Sequence, residues 1–184
     1  MATRGDGRLN HDLNPGEKGP QDACGIFGVW APGEQVAKLT YFGLYALQHR
    51  GQEAAGMAVS DGSSVLVYKD LGLVSQVFDE ATLATLQGHI AVGHTRYSTT
   101  GSTTWENAQP SFRTTPTGSL ALGHNGNLVN TAELFAQARE GGLAGYGKAG
   151  GLGATSDSDL LTAMLAGRPD VSVEQAAMEV LPTL

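Results

Sequence analysis

The sequence lacks the features by which several classes of protein are recognised. It contains a single cysteine, Cys24, which excludes an intrachain disulfide and is too little for a cysteine-rich zinc site. Its five histidines are not spaced as paired metal ligands, so the sequence predicts no metal site. For such a chain a reducing, cytoplasmic location is expected.

Basic residues and long apolar runs are also scarce. Eleven Lys and Arg stand against 18 Asp and Glu, the formal net charge is -7, and no basic stripe is present. We therefore expect no nucleic-acid partner. No apolar run reaches the roughly 18 residues of a transmembrane helix, and residues 1–23 have no apolar stretch like that of a secretory signal. No membrane partner is expected either.

The sequence does contain enough material for one globular domain. Its 184 residues are 41% hydrophobic, a size and composition that suit one domain with a sizeable core. Residues 1–23 are polar, aperiodic and rich in Gly, Pro, Asn and Asp, which is typical of a flexible leader. We expect the domain over residues 24–184.

Apolar alternation predicts short strands, with helices between groups of strands. Strands are expected within 24–30, 56–60, 64–72, 89–99 and 119–130, and helices within 34–50, 132–140, 155–167 and 174–181. The first helix is predicted to carry Val36, Leu39, Gly43 and Leu47 on one face. Asn130 is predicted to cap the second helix, and Ser172 the last. Together these elements predict sheets covered by helices, an α+β fold.

Cys24 lies where the polar leader meets the first apolar strand. A lone cysteine is most often a small buried hydrophobic residue. The alternative is that cleavage before Cys24 gives one residue both a thiol and a free α-amine. With a reference pKa near 8, that amine is partly neutral at pH 7 and can take the thiol proton, as in N-terminal threonine nucleophiles. Attack of the Cys24 sulfur on the Ala23 carbonyl, followed by hydrolysis of the ester, would make the cut.

A polar cluster over residues 94–99 ends the fourth predicted strand. Arg96 offers a planar guanidinium fork that suits a carboxylate. A surface salt bridge is an equal alternative on the sequence alone. His94 is a weaker candidate, since a hydrogen-bonded histidine at a strand end is equally expected.

Two further clusters follow later in the chain. The Asn125 amide and the Gly126 N–H form a two-donor pair able to hold the oxyanion of a tetrahedral intermediate, although Asn-Gly after a strand is usually a turn. Either Asp157 or Asp159 is suited to a substrate ammonium group, although helix capping is the simpler interpretation. His124 is as weak a candidate as His94.

Five motifs together resemble those of the class II glutamine amidotransferases, which are N-terminal-nucleophile hydrolases. They occur in the family's order and span nearly all of residues 22–184. They are DACGIFG (22–28), LQHRGQE (47–53), GHTRYST (93–99), GHNGNL (123–128) and SDSD (156–159).

The resemblance implies a four-layer αββα sandwich of the N-terminal-nucleophile hydrolase type, which we expect to be C-terminally incomplete here. It implies Cys24 as the nucleophile, with Asn125 and the Gly126 N–H as the oxyanion hole. It further implies that Arg96 binds the α-carboxylate of glutamine and that Asp157 binds its α-amino group. The other residues that it places at the site are Arg50 near the new N-terminus, His94, and Tyr97 and Thr99 on a loop closing the pocket.

Within this class, the QHRGQE and HTRYST motifs are most similar to those of the amidophosphoribosyltransferases. This implies glutamine and phosphoribosyl pyrophosphate as substrates, the latter bound by a phosphoribosyltransferase domain that we expect to be absent from this chain. Ammonia from glutamine would form phosphoribosylamine, the first step of purine synthesis.

Magnesium and an iron–sulfur cluster are expected only in that further domain, with no cofactor in this segment, and the full-length enzyme is expected to be a homo-oligomer. Two alternatives stay open. One is a truncated relative without catalytic activity, and the other is the amidotransferase half of an aminosugar synthase.

Overall fold

The computed structural model describes residues 24–97, 104–140 and 156–184. The predicted leader at 1–23 and Thr99 therefore lie outside the described residues. The described part contains two antiparallel sheets with helices packed on them. No helix within these ranges is long and apolar enough to cross a membrane.

The larger sheet has four strands in the order β1-β4-β2-β3. The strands are β1 (Gly25–Trp30), β2 (Ala54–Ser60), β3 (Val65–Leu71) and β4 (Ile90–Arg96). β2 and β3 form the predicted hairpin, whose turn includes Gly62 at a φ of 91°. The register pairs Gly25 with Thr95, which brings the start of β1 beside the end of β4. Cys24 and Arg96 consequently lie at the same end of the sheet, where β1 begins and β4 ends.

One face of this sheet packs against helices. Met57, Val59 and Ala91 point to that face and are buried. They contact α1 (Val36–Ala46), α2 (Val74–Val77) and α3 (Glu80–Thr85), the last two of which no sequence pattern predicted. Side chains at alternate positions of β2 and β4 thus form the sheet's part of the principal core.

The predicted inner face of α1 was partly wrong. Leu39 is 41% exposed, whereas the buried positions of this helix are Val36, Ala37, Thr40 and Leu44. The helix rotates Thr40 and Leu44 onto Gly93 of β4, where a glycine leaves room for close approach.

The second sheet covers the other face of the first. It consists of β5 (Ser111–Thr115) and β6 (Gly118–Leu122), with β6 approaching β3. On its outer side lie α4 (Thr131–Glu140), α5 (Asp157–Ala166) and α6 (Val173–Val180). The order of layers is helices, sheet, sheet, helices, as the α+β and αββα predictions require.

Capping explains where two of these outer helices begin. Ser156 and Ser172 accept hydrogen bonds from the N–H groups three residues on, so both act as N-caps. The predicted cap at Asn130 was wrong, because its buried side-chain Oδ1 accepts no hydrogen bond from the described residues, while its Nδ2 donates to the carbonyl of Thr183. This hydrogen bond links the residue before α4 to the short helical turn Leu181–Thr183 that follows α6.

Candidate active site

A cavity of about 310 Å³ opens where β1 begins and β4 ends. It lies between the two sheets and the N-terminus of α5. Its walls bring together most of the residues selected from the sequence motifs, which are Cys24, Arg96, Tyr97, Gly126 and Asp157.

Cys24 is half-buried at this cavity, immediately before β1. Its Sγ lies 3.4 Å from both the backbone N and the backbone O of Tyr97. Its carbonyl oxygen accepts two hydrogen bonds, from Arg50 Nε at 3.1 Å and from Asn125 Nδ2 at 2.7 Å. The structure therefore places the side chains of Arg50 and Asn125 beside Cys24.

Arg96 is buried, with 6% of its surface exposed, so the surface salt-bridge alternative was wrong. Its Nη1 donates to the carbonyl of Asn107 at 2.9 Å, while its buried Nε has no hydrogen-bond partner in the described part of the chain. A buried guanidinium nitrogen without a partner is costly. Arg96 is also one of the residues that line the cavity, so its guanidinium group lies beside the space where an anionic group would bind.

His94 is fully buried and lies two residues before Arg96 in β4. Burial lowers the pKa of His94 to about 4, although its hydrogen bond to the carbonyl of His124 opposes that shift. The ring is therefore neutral at pH 7. Since Nε2 lies 3.2 Å from the His124 carbonyl oxygen, Nε2 carries the proton. His94 holds a neighbouring backbone group and does not line the cavity.

The two predicted oxyanion donors follow β6. Asn125 is exposed and its amide is bonded to the Cys24 carbonyl, as described above. A Cβ at Gly126 would lie 2.8 Å from Nε2 of His124, so a larger residue here would require the imidazole ring to move. The loop therefore approaches the nucleophile residue and the cavity at the same time.

The structure separates the two aspartates that the sequence could not. Ser156, rather than either aspartate, caps α5. Asp157 lines the cavity, and its carboxylate accepts from the N–H groups of Leu128 and Ser158, at 3.0 and 2.7 Å. Asp159 points away and pairs with Arg113 at 2.7 Å. Burial raises the pKa of the Asp159 carboxyl, and Arg113 opposes that shift.

Sequence reasoning missed Gln109 and Ser158, which together connect the loop after β6 to α5. Gln109 is 4% exposed, and its side chain bonds to the N–H of His124 and to the hydroxyl of Ser158. Both are polar residues in or next to irregular segments, where no apolar period marks burial. The only signal was an isolated glutamine beside Pro110, which a single sequence does not distinguish from a surface loop.

No group of three or more His, Cys, Asp or Glu side chains in the described ranges is arranged to hold a metal ion.

No protein-family model matches the chain. Curated relatives do match. The chain is 70% identical over 167 residues to the amidophosphoribosyltransferase of Mycobacterium leprae, a match covering 90% of this chain and 30% of the relative. It is 47% identical over 121 residues to that of Bacillus subtilis, covering 65% of this chain and 25% of the relative.

A solved structure gives the same result. The glutamine phosphoribosylpyrophosphate amidotransferase from B. subtilis, complexed with ADP and GMP, superposes with a TM-score of 0.72 at 35% identity. The match covers 86% of this chain and 32% of that one. The chain thus spans about a third of the length of these relatives. The resemblance inferred from the five motifs is confirmed, as is the N-terminal-nucleophile hydrolase fold.

Proposed function

Because the chain is homologous to the N-terminal part of the amidophosphoribosyltransferases, we propose that its cavity releases ammonia from glutamine and that Cys24 is the nucleophile. The observation that carries this proposal is the composition of one small cavity. It holds a thiol, a guanidinium and a carboxylate, beside the Asn125–Gly126 loop. These three groups suit the three functional groups of glutamine, which are its side-chain amide, its α-carboxylate and its α-ammonium group.

The two charged residues define the orientation of the substrate. Arg96 would bind the α-carboxylate through its guanidinium group, and Asp157 would bind the α-ammonium group. Asp157 is held by two backbone N–H groups, so it is fixed before substrate arrives. The glutamine side chain would then extend toward Cys24. Tyr97, and Thr99 beyond the described residues, would cover it.

The reaction requires that residues 1–23 be removed first. The free α-amine of Cys24 takes the thiol proton, and the thiolate attacks the amide carbon of glutamine. The tetrahedral oxyanion forms hydrogen bonds to the Asn125 amide and the Gly126 N–H, and the amine's proton passes to the leaving ammonia. Water then hydrolyses the glutamyl thioester to glutamate and regenerates the thiol.

Asn125 and Arg50 give the nucleophile residue its position. Both donate to the Cys24 carbonyl, so the residue is held by its backbone while its thiol stays free of strong partners. In the reaction, the Asn125 amide would turn from this carbonyl to the oxyanion. Its exposure leaves room for that rotation.

The acceptor of the ammonia is inferred from the relatives, of whose length the match covers about a third. By homology we propose that ammonia displaces pyrophosphate from phosphoribosyl pyrophosphate in a further domain, forming phosphoribosylamine for purine synthesis. Magnesium, any iron–sulfur cluster and the contacts of a homo-oligomer would involve that further part. A cytoplasmic location belongs to the same proposal. The relatives reported above are amidophosphoribosyltransferases, and nothing favours an aminosugar synthase.

Glutamate release tests the proposal directly. After removal of residues 1–23, the protein should form glutamate from glutamine, and Cys24→Ala should reduce this to background. Cys24→Ser, which retains a weaker nucleophile, should show slow release or a trapped ester. Equal glutamate release by Cys24→Ala and the unaltered protein would refute the assignment of the nucleophile.

A further inference from the structure

We infer that Gln109 is a positioning residue that fixes the oxyanion-hole loop for catalysis, an inference that rests on the proposed glutaminase function. Gln109 touches neither Cys24 nor the reacting amide in the proposed arrangement. It would act through the backbone of His124, the residue before Asn125 and Gly126.

Gln109 forms a bridge between two parts of the site. Its Oε1 accepts from the backbone N–H of His124 at 2.7 Å, and its Nε2 donates to Ser158 Oγ at 3.0 Å. With 4% of its surface exposed, Gln109 is largely shielded from water that could replace these partners. One buried side chain thus links the loop after β6 to the first turn of α5.

The bond to His124 is one half of a clamp. The His124 N–H is held by Gln109, and its carbonyl oxygen accepts from His94 Nε2 at 3.2 Å. Two consecutive peptide planes therefore have fixed orientations immediately before Asn125. An oxyanion hole depends on donors that are already aimed at the developing charge. The clamp supplies that pre-organisation for the backbone that leads to the Gly126 N–H.

The backbone of Gln109 is itself immobilised. Its carbonyl oxygen lies so close to Gly56 that a Cβ there would come within 2.2 Å. The neighbouring Ala108 carbonyl accepts a hydrogen bond from Lys69 Nζ, and Trp105 Nε1 donates to the Lys69 carbonyl at 2.9 Å. The side chain of Gln109 is therefore presented from a fixed segment of chain.

The hydrogen bonds of Asp157 indicate which kinetic constant should change when Gln109 is replaced. Asp157, the proposed ammonium ligand, is held by the N–H groups of Leu128 and Ser158 and does not need Gln109. Loss of Gln109 should therefore leave substrate binding nearly intact while the oxyanion donors lose alignment. We expect kcat to fall by about 10- to 100-fold, since removal of a whole oxyanion donor costs about 100- to 1,000-fold.

Two variants and a matched control separate this role from a general structural one. Gln109→Met removes both hydrogen bonds at similar volume. Gln109→Glu keeps the acceptor that holds the His124 N–H. Gln137→Met makes the same chemical change at an exposed position of α4. Each is assayed for glutamate release, for the rate at which iodoacetamide alkylates Cys24, and for its thermal midpoint.

Alkylation is the discriminating measurement because displacement of iodide develops no oxyanion. The inference predicts that Gln109→Met loses kcat 10- to 100-fold, with KM and the alkylation rate within about threefold of the unaltered protein. It predicts that Gln109→Glu stays within about fivefold of the unaltered kcat, because the bond to His124 remains. Gln137→Met should match the unaltered protein in every measurement.

Three results would overturn the inference. They are an unaltered kcat in Gln109→Met, a parallel fall in its kcat and alkylation rate, and a loss in Gln109→Glu as large as that in Gln109→Met. If Gln109→Met fails to fold, Gln109→Glu decides alone, with a kcat reduced more than 10-fold counting against the clamp. An unaltered protein that releases no glutamate would instead refute the proposed function.

Discussion

Gly56→Ala tests whether the close approach of two backbone segments supports the site. Gly56 is buried in the central strand β2, with its Cα facing the second sheet. An added Cβ would lie 2.2 Å from the carbonyl oxygen of Gln109 and 2.6 Å from Cβ of Lys69. Neither contact can be relieved by turning a flexible side-chain end.

The magnitude follows from these distances. Ordinary van der Waals contact with such a Cβ begins near 3.4 Å, so the segment carrying Gln109 must move by roughly 1 Å. Overpacking of this kind costs about 1–3 kcal/mol of unfolding free energy. A displacement of about 1 Å in a supporting segment can lower the catalytic rate by as much as about 100-fold.

Gly28→Ala is the matched control. Gly28 points to the same face of the same sheet, but the nearest atom to an added Cβ is the Ala91 carbonyl oxygen at 4.0 Å. Its alanine variant should be neutral, or more stable by about 0.4–1 kcal/mol through the unfolded state. Urea denaturation and glutamate release measure both variants. Gly56→Ala with unchanged stability and kcat would refute the reasoning.

The remaining predictions concern single charged or titratable groups. Burial lowers the pKa of His94 from 6.5 to about 4, so the folded state prefers the neutral ring. This preference contributes as much as about 3 kcal/mol to the free energy of unfolding above pH 6.5. The contribution is lost as the pH falls toward 4. His94→Gln, whose amide can still donate, should flatten this part of a stability–pH profile. A profile as steep as that of the unaltered protein would contradict it. Arg113→Met should lower the free energy of unfolding by about 3 kcal/mol in urea denaturation, because it removes the hydrogen-bonded partner of the buried Asp159 carboxylate. The double variant with Asp159→Leu should recover most of that loss. Arg96→Lys keeps the charge but not the planar fork, so KM for glutamine should rise about 10-fold with little change in kcat, and an unchanged KM would count against carboxylate binding.

The fold was largely predictable because its signals are local. Alternating apolar residues marked β4 and β6, and Ser172 marked the start of the last long helix through a hydrogen bond three residues away. The face of α1 was misjudged at Leu39 because helical periodicity does not say how far the buried stripe extends. That boundary is set by the partner surface.

The site was predictable only where a residue type has a narrow chemical use. A thiol after a leader, or an Asn-Gly pair after a strand, suggested a role before any geometry was known. Gln109 and Ser158 gave no such signal, because their importance arises from distances between segments far apart in the chain. The choice between Asp157 and Asp159 likewise depended on which carboxylate met Arg113.

Intact-mass analysis after incubation with a glutamine-analogue electrophile tests the central claim most directly, since it reports leader removal and the labelled residue together. The account predicts a protein that begins at Cys24 and carries one adduct, located on Cys24 by fragmentation. The adduct should be suppressed by excess glutamine. An active preparation that keeps residues 1–23, or that is labelled elsewhere while Cys24 stays unmodified, would contradict the account.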